Sequence, residues 1–196
     1  MAKMSFSHYL NESPNNGVVA TFGRMQPPTI GHGLLIKKVM ETAKANNCDH
    51  VVYLSKTQDP KKNPLDVDTK VKWARKMFPG ANIKAADASI QTFIDMVTAL
   101  NTVYSILYMV AGSDRAAEYQ KLLDKYNGKD YHYEKIVVVS AGERDPDADG
   151  ASGMSATKMR AAAATNNIAE YKKGLPDSVK KDAARMISDV RKGMRL

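Results

Sequence analysis

The sequence predicts an α/β fold in which a parallel sheet is flanked by helices. Four runs of β-forming residues, at 18–22, 50–55, 105–110 and 135–140, alternate with segments of helical periodicity. Each run gives way to a polar or glycine-containing loop rather than to a hairpin turn. Strands separated by helices of roughly 10 to 15 residues pair in parallel through right-handed crossovers.

Val18 to Phe22 is apolar and stops at Gly23; beyond Pro27-Pro28, Leu34, Leu35, Val39 and Met40 recur at helical spacing within 33–45. His50 to Ser55 forms the second strand, and a polar loop from Lys56 to Pro64 leads to a helix from Val67 to Met77. Asp66 or Asp68 caps that helix. Pro79-Gly80 breaks the chain before a short strand at 82–85, and Ile90, Phe93, Ile94 and Val97 mark the next helix. Ser105 to Val110 ends at Ala111-Gly112-Ser113-Asp114-Arg115 and feeds a helix from Ala116 to Tyr126. Lys135 to Ser140 opens into the Gly- and Asp-rich loop from Gly142 to Gly153, and helical sequence resumes at Ser155.

With 196 residues, 43% of them hydrophobic, the chain can bury a sizeable core as one domain with a helical appendix. The expected division is a polar leader at 1–17, a catalytic body at 18–174 and a packing helix at 175–196. No apolar run approaches the roughly 18 to 20 residues that cross a bilayer, so no membrane partner is expected. Cys48 is the single cysteine, which excludes an internal disulfide, argues against a cysteine-built zinc site and suits a reducing, cytoplasmic compartment. His50 and His132 lack a repeated ligand spacing, so no protein-built metal site is expected. A net charge of +8 favours anionic partners: nucleotides, nucleic acid or an acidic protein. Lys172-Lys173, Lys180-Lys181 and Arg191-Lys192 concentrate it near the C-terminus, as a solvated helix face or a surface for a nucleic-acid or protein partner.

In a parallel sheet, ligands bind beyond the carboxyl ends of the strands, near a topological switch point. One end would therefore collect Arg24, His32, Lys56, Asp114 and the Ser155 turn. In Thr29-Ile30-Gly31-His32 the glycine admits a phosphate close to the backbone. The threonine hydroxyl and the imidazole offer donors at the start of a helix whose dipole favours anions. Ser155 can cap a second helix and bind phosphate, with Arg160 reaching out from the same helix.

Gly23-Arg24-Met25-Gln26-Pro27 followed by Thr29-Ile30-Gly31-His32 resembles the first signature of the HIGH-superfamily nucleotidyltransferases, in which an (H/T)xGH motif opens a helix. Met154-Ser155-Ala156-Thr157-Lys158-Met159-Arg160 resembles the second, and Gly112-Ser113-Asp114 the weaker Gly-x-Asp loop between them. The resemblance spans about 18–173 and implies a Rossmann-like sheet of the nucleotidyltransferase α/β phosphodiesterase type. It implies catalysis by His32, Thr29 and Arg160. Nucleotide or phosphate contacts would come from Gly23, Arg24, Met25 and Gly31, from Gly112 and Asp114, and from Ser155 and Thr157. ATP would be a substrate, Mg²⁺ would arrive with it, and a homo-oligomer stays open.

The middle segment, Ser55-Lys56-Thr57-Gln58 and Asn63-Pro64-Leu65, is similar to archaeal-type nicotinamide-mononucleotide adenylyltransferases, which serve NAD biosynthesis. By that likeness Lys56, Asn63 and Phe93 bind the acceptor, Phe93 stacking on the nicotinamide ring. Leu65 replaces an aromatic residue of that type, and Thr69-Lys70 stands where Glu-Arg is common. Transfer of a cytidylyl or adenylyl group to another phosphorylated small molecule, and a non-catalytic nucleotide-, nucleic-acid- or protein-binding role, remain alternatives. Asp145, Asp147 and Asp149 do not complete a calcium loop and are expected to close over bound nucleotide instead.

Overall fold

The computed structural model describes residues 16–142 and 154–196. The leader ahead of residue 16 and the Asp145–Asp149 loop, with its expected closure, lie outside the described residues. Five strands, β1 (Gly17–Gly23), β2 (Asp49–Leu54), β3 (Ile83–Ala85), β4 (Ile106–Ala111) and β5 (Lys135–Ser140), form one sheet in the order β3-β2-β1-β4-β5. Every pairing is parallel, with Val18 opposite Asp49 on one side of β1 and opposite Leu107 on the other.

The period-2 alternation of each strand separates two cores. On one face Val19, Val52, Ile83 and Val110 pack against α1 (Ile30–Asn46) and α2 (Val67–Met77). Val18, Ala20, Val51, Leu107 and Met109 point the other way, toward α3 (Phe93–Asn101) and α4 (Ser113–Tyr126). The crossovers after β1 and β2 thus cover one face and the crossover after β4 covers the other. The winding reverses between β1 and β4, which places the switch point there.

The expected helices form, and three of their starts differ from or sharpen the sequence reading. Asp66, not Asp68, caps α2, its carboxylate accepting from Thr69 N–H at 2.8 Å. Helix α1 begins at Ile30 rather than Gly33, because the Thr29 and His32 side chains satisfy its first turn. Helix α4 begins at Ser113 rather than Ala116. Gly112 is its N-cap and Asp114 lies inside the first turn, where the helix dipole favours a carboxylate.

Past residue 154 the chain adds α5 (Ala156–Ala164), α6 (Ile168–Lys173), a 3-10 turn (Asp177–Asp182) and α7 (Ala183–Met194). Their apolar faces form a third core with the outer side of α2: Trp73 and Met77 pack among Met159, Tyr171, Leu175, Met186 and Val190. The Trp73 indole N–H donates to Asp189 at 2.8 Å, which satisfies the one polar atom of a buried ring. A side chain at Gly193 would run into the Pro64 carbonyl, so α7 sits close against the loop ahead of α2. Among the described residues no helix is long and apolar enough to cross a membrane.

Candidate phosphate site at the carboxyl ends of β1 and β2

Strand β1 delivers Gly23 to the switch point, and the loop to α1 is shaped by two buried residues. Met25 has a φ of 44°, and its side chain turns into the core, so only its backbone can face a ligand. Gln26 is 2% exposed and works as a clamp. Its Nε2 donates to Leu65 O at 2.7 Å and to Thr57 O at 3.3 Å, while its Oε1 accepts from Leu65 N–H at 2.9 Å. The loop after β1 is thereby tied to the loop after β2.

Thr29 and His32 form a capping box in which histidine takes the place usually held by glutamate or glutamine. The Thr29 hydroxyl accepts from His32 N–H at 3.4 Å, and His32 Nδ1 accepts from Thr29 N–H at 3.0 Å. An imidazole whose Nδ1 accepts carries its proton on Nε2, so the neutral ring is held as an Nε2–H donor. The first turn is tied further by Ile30 N–H, which donates to Gly174 O at 2.9 Å. Gly31 N–H has no partner among the described residues and is the backbone donor left for an anion.

The second helix start lies beside the first. Ser155 caps α5 by accepting from Lys158 N–H at 3.1 Å. Arg160 spans 134 residues of sequence: its Nη1 donates to Gln26 O at 2.7 Å and its Nη2 to Thr157 Oγ1 at 3.0 Å. Partial burial lowers the Arg160 pKa from its ordinary value, the nearby Arg24 lowers it too, and Asp59 opposes them. Arg24 itself is exposed at the mouth of the loop. The structure thus brings Arg24, Thr29, Gly31, His32, Ser155, Thr157 and Arg160 to one locality.

The remaining sequence-derived candidates are placed differently. Lys56 is exposed just beyond β2, and its charge helps to hold Asp87 below the usual carboxylate range. Asn63 is buried; its amide donates to Asp59, and the two residues bridge backbone to backbone, so its side chain closes the 59–63 turn. Phe93 stacks face to face on Tyr119, with ring centroids 4.6 Å apart and planes 6° from parallel. Gly112 and Asp114 stand at the end of β4, across the switch point, with the Asp114 side chain 79% exposed. Among the described residues no group of His, Cys, Asp and Glu is arranged to hold a metal. A groove of about 640 Å³ between α1 and Phe78-Pro79 runs from Gly33, next to His32, past Ile36 and Met40 to Cys48.

Two residues at this site were not singled out by sequence reasoning: Gln26, noted only within a motif, and Lys70. Lys70 is wholly buried on α2, and its ammonium donates to Ser55 O at 2.6 Å. A signal was present, since Lys70 falls on the helix face of Val67, Val71 and Ala74, where an apolar residue is expected.

No family model matches the chain, and no curated protein sequence does. Among solved structures, it is similar to Thermotoga maritima TmcAL bound with alpha-thio ATP, at a TM-score of 0.52 and 12% identity. The match covers 88% of this chain and 56% of that one, so this chain spans little more than half the length of its structural neighbour. At that identity the likeness is one of fold: a parallel, Rossmann-like sheet flanked by helices.

Proposed function

We propose that the protein is a nucleotidyltransferase of the HIGH-superfamily type that transfers AMP from ATP to a phosphorylated acceptor, preferably nicotinamide mononucleotide. The single observation that carries this reading is the Arg160–Gln26 hydrogen bond at 2.7 Å. It brings the two motifs, with Arg24 and Arg160, together at the starts of α1 and α5. The structural neighbour bound with alpha-thio ATP supports a nucleotide ligand for such a sheet.

The reaction asks little covalent chemistry of the protein. An oxygen of the acceptor phosphate attacks the α-phosphorus of Mg·ATP; the bond from that phosphorus to the bridging oxygen breaks, and pyrophosphate leaves with the electron pair. The protein must hold the two phosphates in line and balance the charge that builds up. His32 Nε2–H donates to the α-phosphate, and Thr29 holds the ring in that tautomer. Arg160 and Arg24 offset charge on the departing β- and γ-phosphates, with Ser155, Thr157 and the backbones of Gly23, Met25 and Gly31 orienting them. Gly112 and Asp114 face the ribose, Asp114 accepting from its hydroxyls. Mg²⁺ enters as part of the substrate, carried by the phosphates.

One observation favours a second acceptor. Asn63 is committed to Asp59 and one face of Phe93 to Tyr119, so Lys56 is the acceptor candidate with the fewest internal ties. This arrangement supports adenylyl or cytidylyl transfer to another phosphorylated small molecule. Pyrophosphate release from pairs of triphosphates and acceptors distinguishes the two. Release with ATP and nicotinamide mononucleotide sustains the first reading, release only with other pairs sustains the second, and none with any pair removes both.

A further inference from the structure

Lys70 is the least expected side chain near this site, because long ammonium side chains are almost never wholly buried without a partner acid. It is 0% exposed, and among the described residues no carboxylate comes within ion-pair distance of its Nζ. Its hydrogen-bond partner is a backbone carbonyl, Ser55 O, at the carboxyl end of β2. The N–H of the same residue, in the preceding peptide group, donates to Gly23 O at 2.9 Å, so two hydrogen bonds through Ser55 connect the ammonium to the strand end from which Arg24 departs. The Ser55 hydroxyl is buried and has no partner among the described residues.

We propose that Lys70 is a positioning residue of the phosphate site. Its ammonium fixes the Ser55 peptide behind Gly23 and adds a buried positive charge to the field felt by a polyphosphate at the Arg24 loop. The inference rests on the nucleotide-binding reading above.

Burial lowers the Lys70 pKa to about 8; the like charge of Arg24 adds to this, and Asp66, at the cap of the same helix, opposes it. A polyphosphate beside Arg24 reverses part of that balance, since an opposite charge favours the charged lysine. The sign follows by linkage. With no ligand, Lys70 loses its proton as the pH rises through about 8; the liganded state holds that proton to higher pH, so binding takes up a proton between the two values. Affinity is full below the lower value and falls as the pH rises through the window.

The test is calorimetric titration of the full chain with Mg·ATP from pH 7 to 9.5, in buffers of differing ionisation enthalpy. The expected result is a weakening on the order of tenfold across the range, with uptake of about half a proton near the middle. Lys70→Met is expected to bind weakly by a similar factor at pH 7, with a flat pH profile and no proton uptake. Should that variant fail to fold, the proton uptake and pH slope of the unmodified protein decide the matter. ATP binding that is independent of pH and takes up no proton overturns the role of Lys70 and leaves the nucleotide site intact. The same slope and uptake in a folded Lys70→Met also overturns it. No ATP binding at pH 7 overturns the site reading and this inference with it.

Discussion

Helices α1 and α4 start at equivalent places, each just beyond one of the two strands that flank the switch point, yet their first turns are built differently. Thr29 is 0% exposed and exchanges side-chain and backbone hydrogen bonds with His32, while Ile30 is tied to Gly174 in the C-terminal part of the chain. At α4 the cap is Gly112, with no side-chain cap bond, and the first turn carries the exposed Asp114. The first turn of α1 contains no acid. A dipole supported by arginines and left without an acid suits phosphate, whereas a carboxylate in the same position repels phosphate and accepts from hydroxyls. On the proposed function, the contrast would put the phosphates of a nucleotide at α1 and its sugar at α4.

The sharpest way to break that contrast is at His32. His32→Ala removes the imidazole donor and is expected to lower turnover by about three orders of magnitude, of the size seen for a lost oxyanion donor. Pyrophosphate release reads this, with circular dichroism to show that the fold persists; near-normal turnover would end the assignment of phosphates to α1. Next in size, Arg160→Met is expected to reduce turnover by about a hundredfold, since it removes a charged donor and also unties Gln26 from α5. Arg160→Lys should recover only part, because one ammonium cannot bond both Gln26 O and Thr157 Oγ1 in a fork.

A smaller effect, on stability, separates a capped start from an uncapped one. Thr29→Ala deletes the side-chain half of the capping box and is expected to cost about 1 to 2 kcal/mol in urea unfolding. Ser113→Ala at α4, an exposed residue one position past a glycine cap, should stay within about 0.5 kcal/mol. Equal losses at the two positions would erase the structural difference between the helix starts. Smallest of all, Asp114→Ala is expected to weaken ATP binding by roughly fivefold, one exposed hydrogen bond's worth. It should leave inorganic pyrophosphate binding unchanged, and a rise in pyrophosphate affinity as large as the loss for ATP would reassign Asp114 from sugar contact to charge repulsion.

Much of this arrangement was legible beforehand. The strands and their order along the chain followed from β-forming runs between helix-periodic segments, and the motif around Thr29 and His32 marked a helix start. The apolar periodicity, which begins only at Leu34, placed the start of α1 three residues late, because the Thr29 and His32 side chains cap the helix ahead of its first core residue. Asp114 shows the reverse case: an acid after glycine looks like a cap, but here the glycine is the cap and the acid sits two residues on, within the first turn. Asn63 and Phe93 were read as ligand contacts from a likeness along the chain. Their engagement with Asp59 and Tyr119 depends on a turn and a helix pairing that composition does not encode.

By itself the sequence determined the parallel α/β class, the presence of a helix after each glycine-bearing loop and the excess of positive charge. These depend on residues within a few positions of one another, where backbone geometry, capping and side-chain alternation act. The tertiary structure alone decided that Arg160 closes onto Gln26, that the C-terminal helices pack on Trp73 of α2, and that Lys70 is sealed beneath the end of β2. Each of those joins segments distant in sequence. Whether a charge there is exposed, paired or buried follows from which surfaces meet in the fold, and no local pattern of residues fixes that.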